Sequence, residues 1–224
     1  MKFIQKGSSL AKFENWKAET NSDWQASWDN FRNPQKEEVK KALLIEQGYL
    51  CCYCGMRIEN NYLTEIEHIK PRSECIGSEE FKALDFNNFL ASCNGSTKEP
   101  KPREVHCNNA RGDKVLRVSP LSSQCESHFL YTESGEIIPA LANDNNVKNL
   151  IDNVLKLNAK KIKGMRKEII AGLEEDFLEA SDEEINEEIV ELSQKEENRF
   201  KEMCFVSVSY LRNTMLEELE IILL

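Results

Sequence analysis

Apolar positions change their period along this chain, and the changes divide it into three stretches. Over residues 35–48, QKEEVKKALLIEQG, they recur at helical spacing, with Val39, Ala42, Leu43 and Ile45 on the inner side and Gly48 as the stop. Upstream the pattern is polar and mixed, but Trp24 and Trp28 stand four apart and would share one helix face. Residues 49–118 read as short strands, loops and one short helix. Residues 129–139, FLYTESGEIIP, predict a hairpin around Ser134-Gly135. From about Val147 the period is helical to the end. Leu150, Ile151, Val154, Leu155 and Leu157 form one apolar face, and Phe177, Ile185, Ile189 and Leu192 another. The expected class is α+β, with an N-terminal helical segment over 1–48, a mixed body over 49–142 and a helical region over 143–224.

Charge sharpens this division. The net charge of -10 argues at first against a nucleic-acid partner. Residues 174–202, however, hold 13 Asp/Glu against 3 Lys/Arg, so that one segment carries the whole excess and the rest of the chain sums to zero. No run of 18 apolar residues predicts a membrane span. Residues 1–20 lack the apolar core of a secretory leader, so a cytoplasmic protein is expected.

Eight cysteines then need an explanation other than disulfides, and metal binding comes first. Cys51 and Cys54 form a C-x-x-C pair, with Gly55 easing the tight turn. Tetrahedral zinc takes four N/S ligands, and Cys93 and Cys107 are the best second pair. His106 is an alternative to Cys107. Cys52, Cys75, Cys125 and Cys204 lack partner spacing and read as small buried hydrophobes.

Between the two half-sites lies Glu65-Ile66-Glu67-His68-Ile69-Lys70-Pro71, a strand that Pro71 ends. At its end Glu67 can hold a divalent metal while neutral His68 deprotonates water. Further on come Asp85-Phe86-Asn87-Asn88 and His106-Cys107-Asn108-Asn109-Ala110-Arg111-Gly112-Asp113-Lys114, the latter able to start a short helix.

These motifs together resemble the HNH, or ββα-metal, nucleases. The resemblance implies a zinc-stabilised ββα-metal core with flanking helices. It makes His68 the general base and Asn88 the residue that orients it, with Glu67 and Asn108 holding catalytic Mg²⁺ or Mn²⁺. Cys51, Cys54, Cys93 and Cys107 match the structural Zn²⁺ ligands of the zinc-containing branch. The second cysteine pair is stretched relative to the usual C-x-x-C, and Asn94, after Cys93, competes with Asn108 as the last metal ligand. Over most of residues 1–170 the chain also resembles the HNH subunit of the Septu anti-phage system and retron-associated effectors. That narrower likeness rests on FIQKG, C-x-YCG, HCNN, VSPL and LKLNAKKIKGMRKEI, and it implies an ABC/SMC-like ATPase partner.

Lys98, Lys101, Arg103, Arg111 and Lys114 cluster near this motif and are expected on a nucleic-acid rim. DNA is the expected substrate, with an RNA such as tRNA as the alternative; a zinc-stabilised adaptor without catalysis is the reading from another class. Two further stretches suggest partner surfaces: the Trp24/Trp28 pair and the apolar residues 215–224.

Overall fold

The computed structural model describes residues 1–96 and 104–216. Helix α1 (Ala11–Ala18) and helix α2 (Gln35–Glu46) precede an antiparallel pair, β1 (Thr64–His68) and β2 (Phe89–Cys93). In that pair Glu67 faces Leu90 and His68 faces Phe89. The short helix α3 (Cys107–Arg111) follows, then a second antiparallel pair, β3 (Phe129–Tyr131) and β4 (Ile137–Pro139). The remainder is helical: α4 (Asn145–Asn149), α5 (Lys160–Asp176), α6 (Asp182–Leu192) and α7 (Cys204–Tyr210). The class is α+β, with two small sheets among helices. No helix among the described residues is long and apolar enough to cross a membrane.

Helix α2 buries Val39, Leu43 and Leu44. Ile45, expected on that face, is 46% exposed: the stripe from Val39 to Leu43 faces the core, and Ile45 lies two residues further round the helix. The helix ends as expected at Gly48, whose φ of +61° suits a residue without a Cβ. Just before it, Gln47 is 3% exposed and acts as a surrogate strand neighbour for β2. Its amide nitrogen donates to Leu50 O and Ala91 O at 2.8 Å each, and its amide oxygen accepts from Ala91 N at 2.6 Å. One side chain thus satisfies backbone groups of a strand buried along its whole length.

The hairpin forms around Ser134-Gly135 as expected, and all five apolar residues from Leu150 to Leu157 are buried. Helix α6 starts on a capping box between Ser181 and Glu184, buries Ile185, Ile189 and Leu192, and turns its acidic side outward. One hydrophobic cluster draws residues from all three stretches of sequence, from Met1 to Leu211.

The expectation of a helix carrying Trp24 and Trp28 is corrected. No helix spans residues 19–34. Asn21 instead closes a local turn, its backbone N–H donating to Trp24 O at 2.8 Å. The two rings turn inward: Trp24 packs edge-on against Trp16 at 5.7 Å, and Trp28 lies 5.6 Å from Phe31 and 5.8 Å from Phe89. They close the protein's own aromatic core. Of the apolar stretch 215–224, only Met215 and Leu216 lie among the described residues, and both are half-buried against the core.

Candidate metal centre and active site

The turn after α2 brings Cys51 and Cys54 to one point. Cys51 N donates to Met56 O at 2.9 Å and Gly55 N to Cys51 O at 3.0 Å. Cys93 arrives at the end of β2, and Cys107 opens α3. The long stretch between them is closed by an isolated bridge between Ser96 and Val105 and by His106 N donating to Gly95 O at 2.8 Å. Gly95 makes this possible. It has φ +68°, and a Cβ there would lie 1.6 Å from His106 O.

The four sulfurs of Cys51, Cys54, Cys93 and Cys107 lie within 4.8 Å of one another. Cys54 and Cys93 are 3.8 Å apart, matching the edge of about 3.8 Å that Zn–S bonds of about 2.3 Å give in a tetrahedron. Burial would raise the Cys51 thiol. Hydrogen bonds from Cys107, Cys52, Cys54 and Cys93 override it and hold the Cys51 thiol below its usual range. The donor set fits zinc, and this buried group could hold it. His106 is no member of the quartet. Its Nδ1 sits 3.1 Å from Cys107 Sγ, outside the four sulfurs, as a neighbour that can donate to a thiolate. Cys75, Cys125 and Cys204 are buried outside the quartet, and Cys52, also buried, lies beside Cys51 without joining it.

The next cluster lies on one face of β1. Glu67 is 4% exposed and is fully engaged. Its Oε1 accepts from Tyr53 Oη at 3.0 Å and from the Arg111 guanidinium, and its Oε2 accepts from the Asn108 amide. Arg111 is 1% exposed. It also donates to Tyr53 Oη at 2.9 Å, His68 O at 2.6 Å, Ile69 O at 2.7 Å and Lys114 O at 3.0 Å. Burial would lower its pKa, but the Tyr53 oxygen and the Glu67 carboxylate hold it above the ordinary value. The expectation that Arg111 sits on a nucleic-acid rim is therefore corrected: each of its three nitrogens donates to a protein oxygen inside the fold.

Of the two Cys-Asn candidates, Asn108 lies against Glu67. Asn94 closes a turn, its Oδ1 accepting from Ser96 N at 3.1 Å. Glu67 and Asn108 offer hard oxygen donors of the kind Mg²⁺ takes, once the Asn108 amide turns its oxygen rather than its nitrogen toward the carboxylate.

His68, the last residue of β1, has different side-chain partners from Glu67. The His68 ring packs edge-on against Trp28 at 4.4 Å and Phe89 at 4.9 Å. Its Nε2 lies 3.1 Å from Ala83 O. A carbonyl only accepts, so Nε2 carries the proton and Nδ1 keeps the lone pair. Burial, opposed by the bond to Ala83 and aided by Arg72, Arg111 and Lys36, lowers the His68 pKa to about 4. The ring is a neutral base at pH 7.

Asn88, expected to orient that ring, bonds backbone groups around it rather than the ring itself. Its amide accepts from Lys70 N at 2.7 Å and donates to Lys70 O at 3.0 Å and Lys82 O at 2.9 Å. It ties together the two ends of the segment between β1 and β2. That segment includes a short helical stretch over Gly77–Leu84, which carries Ala83. Asn88 thus acts on His68 one step removed.

Lys98, Lys101 and Arg103 lie outside the described residues. Lys114 is exposed, with its ammonium on Ala110 O and Asn153 O at 3.3 and 3.0 Å. Sequence reasoning missed Tyr53 and Ala83, and it put Trp28 on a partner surface rather than against His68. Only Tyr53, between two cysteines of the knuckle, carried a positional signal.

No family model matches the chain. Among curated proteins it is similar to two retron-associated candidate HNH endonucleases. One, of retron Vc95 from Vibrio cholerae serotype O1 biovar El Tor, is 29% identical over 104 residues, covering 46% of this chain and 48% of the relative. The other, of retron Ec83 from Escherichia coli, is 30% identical over 114 residues, covering 48% of this chain and 43% of the relative. The chain therefore spans about half the length of the curated relatives it matches.

Proposed function

We propose that the chain is a metal-dependent HNH endonuclease that hydrolyses phosphodiester bonds of DNA, as the effector of an anti-phage system with an ABC/SMC-like ATPase partner. The observation that carries the reading is the end of β1. There a carboxylate and a neutral histidine are consecutive, and the helix beginning at Cys107 delivers Asn108 to the carboxylate. The partner and the defence setting rest on the resemblance, to which the relatives' names add a retron association and HNH endonuclease activity; the ββα-metal core and DNA as substrate follow from the same likeness.

In this reading Cys51, Cys54, Cys93 and Cys107 hold a structural zinc that fixes the start of α3 against β1. Glu67 and Asn108 would hold Mg²⁺ or Mn²⁺, which supplies charge stabilisation at the scissile phosphate. His68 takes a proton from the attacking water at Nδ1, and Ala83 O holds the ring in the tautomer that leaves Nδ1 free. Arg111 and Tyr53 keep the Glu67 carboxylate in one orientation. An adaptor would need none of these.

The test is to incubate the purified protein in Mg²⁺ with plasmid DNA and with total tRNA, with and without an ATPase encoded beside it. Metal-dependent DNA cleavage that disappears in His68→Ala is the expected result. Cleavage of tRNA alone would move the substrate to RNA. No cleavage in any arm would overturn the reading.

A further inference from the structure

Beside the His68 ring lie two cations that the nuclease reading has not used. Lys36, in the first turn of α2, has its Nζ 5.0 Å from the centroid of Trp28. Arg72, just past Pro71, has its Cζ 5.3 Å from the same ring. Trp28 in turn touches the His68 ring. Among the described residues neither cation has a carboxylate partner, whereas nearby Lys70 and Lys82 both bind Glu79. Arg72 is exposed and Lys36 half-buried, so both charges reach solvent.

The surroundings are polar. Lys36 lines a hollow of about 310 Å³ together with Asn33, Lys40, Asn60 and Tyr62. Glu37 lies on the same wall but is taken by Lys41 at 2.7 Å. Two cations beside a general base, without counter-ions and braced on one indole, lack an anion. Structural cations in this protein, such as Arg111, are instead fully matched by protein oxygens.

We propose that Lys36 and Arg72, held over Trp28, form the phosphate clamp that seats a DNA strand beside His68. The clamp rests on the nuclease reading and names the surface by which that site takes its substrate. A guanidinium and an ammonium bind backbone phosphates without reading bases. Trp28 restricts both side chains through cation–π interactions and so lowers the entropic cost of binding. The cations that meet the phosphates come from α2 and from the segment after β1, not from Arg111.

The test measures binding of a fluorescent 20-base-pair DNA across salt concentrations, without added divalent ions, by the full-length protein. RNA of the same sequence is the comparison. Removing one phosphate-binding cation lowers the slope of log affinity against log salt by about one. Lys36→Ala with Arg72→Ala should therefore lower it by about two, uniformly across DNA sequences. Trp28→Leu should weaken binding with a smaller change in slope. Arg72→Ala alone, at an exposed position, should lower the slope by about one with zinc content and melting unchanged. Lys201→Ala, an exposed lysine paired with Glu191, should leave binding as it was. A double variant that binds with wild-type affinity and slope overturns the clamp, even where His68→Ala abolishes cleavage. An effect confined to RNA overturns the assignment to DNA. A wild-type protein that neither binds nor cuts any nucleic acid overturns the clamp and the nuclease reading together.

Discussion

Two polar clusters lie on either side of Tyr53, and they are built on opposite principles. The cysteine quartet gathers four soft donors with no cation among them, so its charge is unmatched until a metal enters. The Glu67 cluster gathers one carboxylate with a guanidinium, a phenol and an amide, so its charge and hydrogen bonds are matched within the protein. A centre of the first kind folds around its ion. One of the second kind is assembled beforehand and takes an ion only by rearranging Asn108, which suits a metal that is exchanged in use. Tyr53 joins the two: it sits between Cys52 and Cys54 and bonds both Glu67 and Arg111.

The largest effect should come from emptying the quartet. Structural zinc sites contribute apparent binding energies of about 10–16 kcal/mol in small zinc domains. Cys51→Ser or Cys107→Ser should therefore abolish the cooperative melting transition, and metal analysis should find the proposed one zinc per chain in wild type and none in the variant, while Cys52→Ser stays mild. A zinc-free wild-type protein with the same melting curve would erase the contrast between the two clusters.

Next comes Arg111→Ala, which leaves the Glu67 charge buried and unpaired. Removing one partner of a buried ion pair costs about 3–5 kcal/mol. Denaturant unfolding should show a decrease of that size, with zinc retained. A change under about 1 kcal/mol, the range of an exposed pair, would mean that the carboxylate is not held by its guanidinium.

His68→Ala should lower cleavage by a factor of about 10²–10⁴ while DNA affinity stays within about twofold. If turnover is unaffected, His68 is not the group that activates water. Asn88→Ala should act in the same direction more weakly, because it loosens the segment carrying Ala83 and leaves the imidazole in place. The gap between these two rate decreases measures how much of the ring's placement depends on Asn88.

The smallest effect is expected from Tyr53→Phe. Removing one hydroxyl from a charge-assisted network costs about 1.5–3 kcal/mol at most. Zinc content should be unchanged, and the Mg²⁺ concentration for half-maximal cleavage should rise. Unchanged Mg²⁺ dependence would show that the knuckle and the carboxylate act independently.

Much of this arrangement was readable from the chain. The C-x-x-C turn, the strand ended by Pro71 and the Cys-Asn start of α3 are local patterns, and the four cysteines they supply lie together. The hairpin at Gly135 and the buried stripe of α6 followed from periodicity and turn chemistry. Other features depended on distant partners. Arg111 sits in a basic stretch, and only the positions of three carbonyl oxygens and Glu67 decide that it is internal. The ring of His68 is fixed by a backbone carbonyl, which any residue at position 83 would supply. The Trp24/Trp28 spacing matched a helix, but local turns around Asn21 and Asn30 direct both rings inward.

The bridge between Ser96 and Val105 has a consequence for how such centres vary in length. With Gly95 pressed against His106, the chain is cinched shut before it reaches either sulfur of the second pair. The connector beyond the cinch can then lengthen at an entropic cost of only about 0.6 kcal/mol per doubling, without moving Cys93 relative to Cys107. A search pattern that demands a fixed gap between those two cysteines would therefore pass over a centre of this design; one that asks for a glycine two residues after the third cysteine would find it.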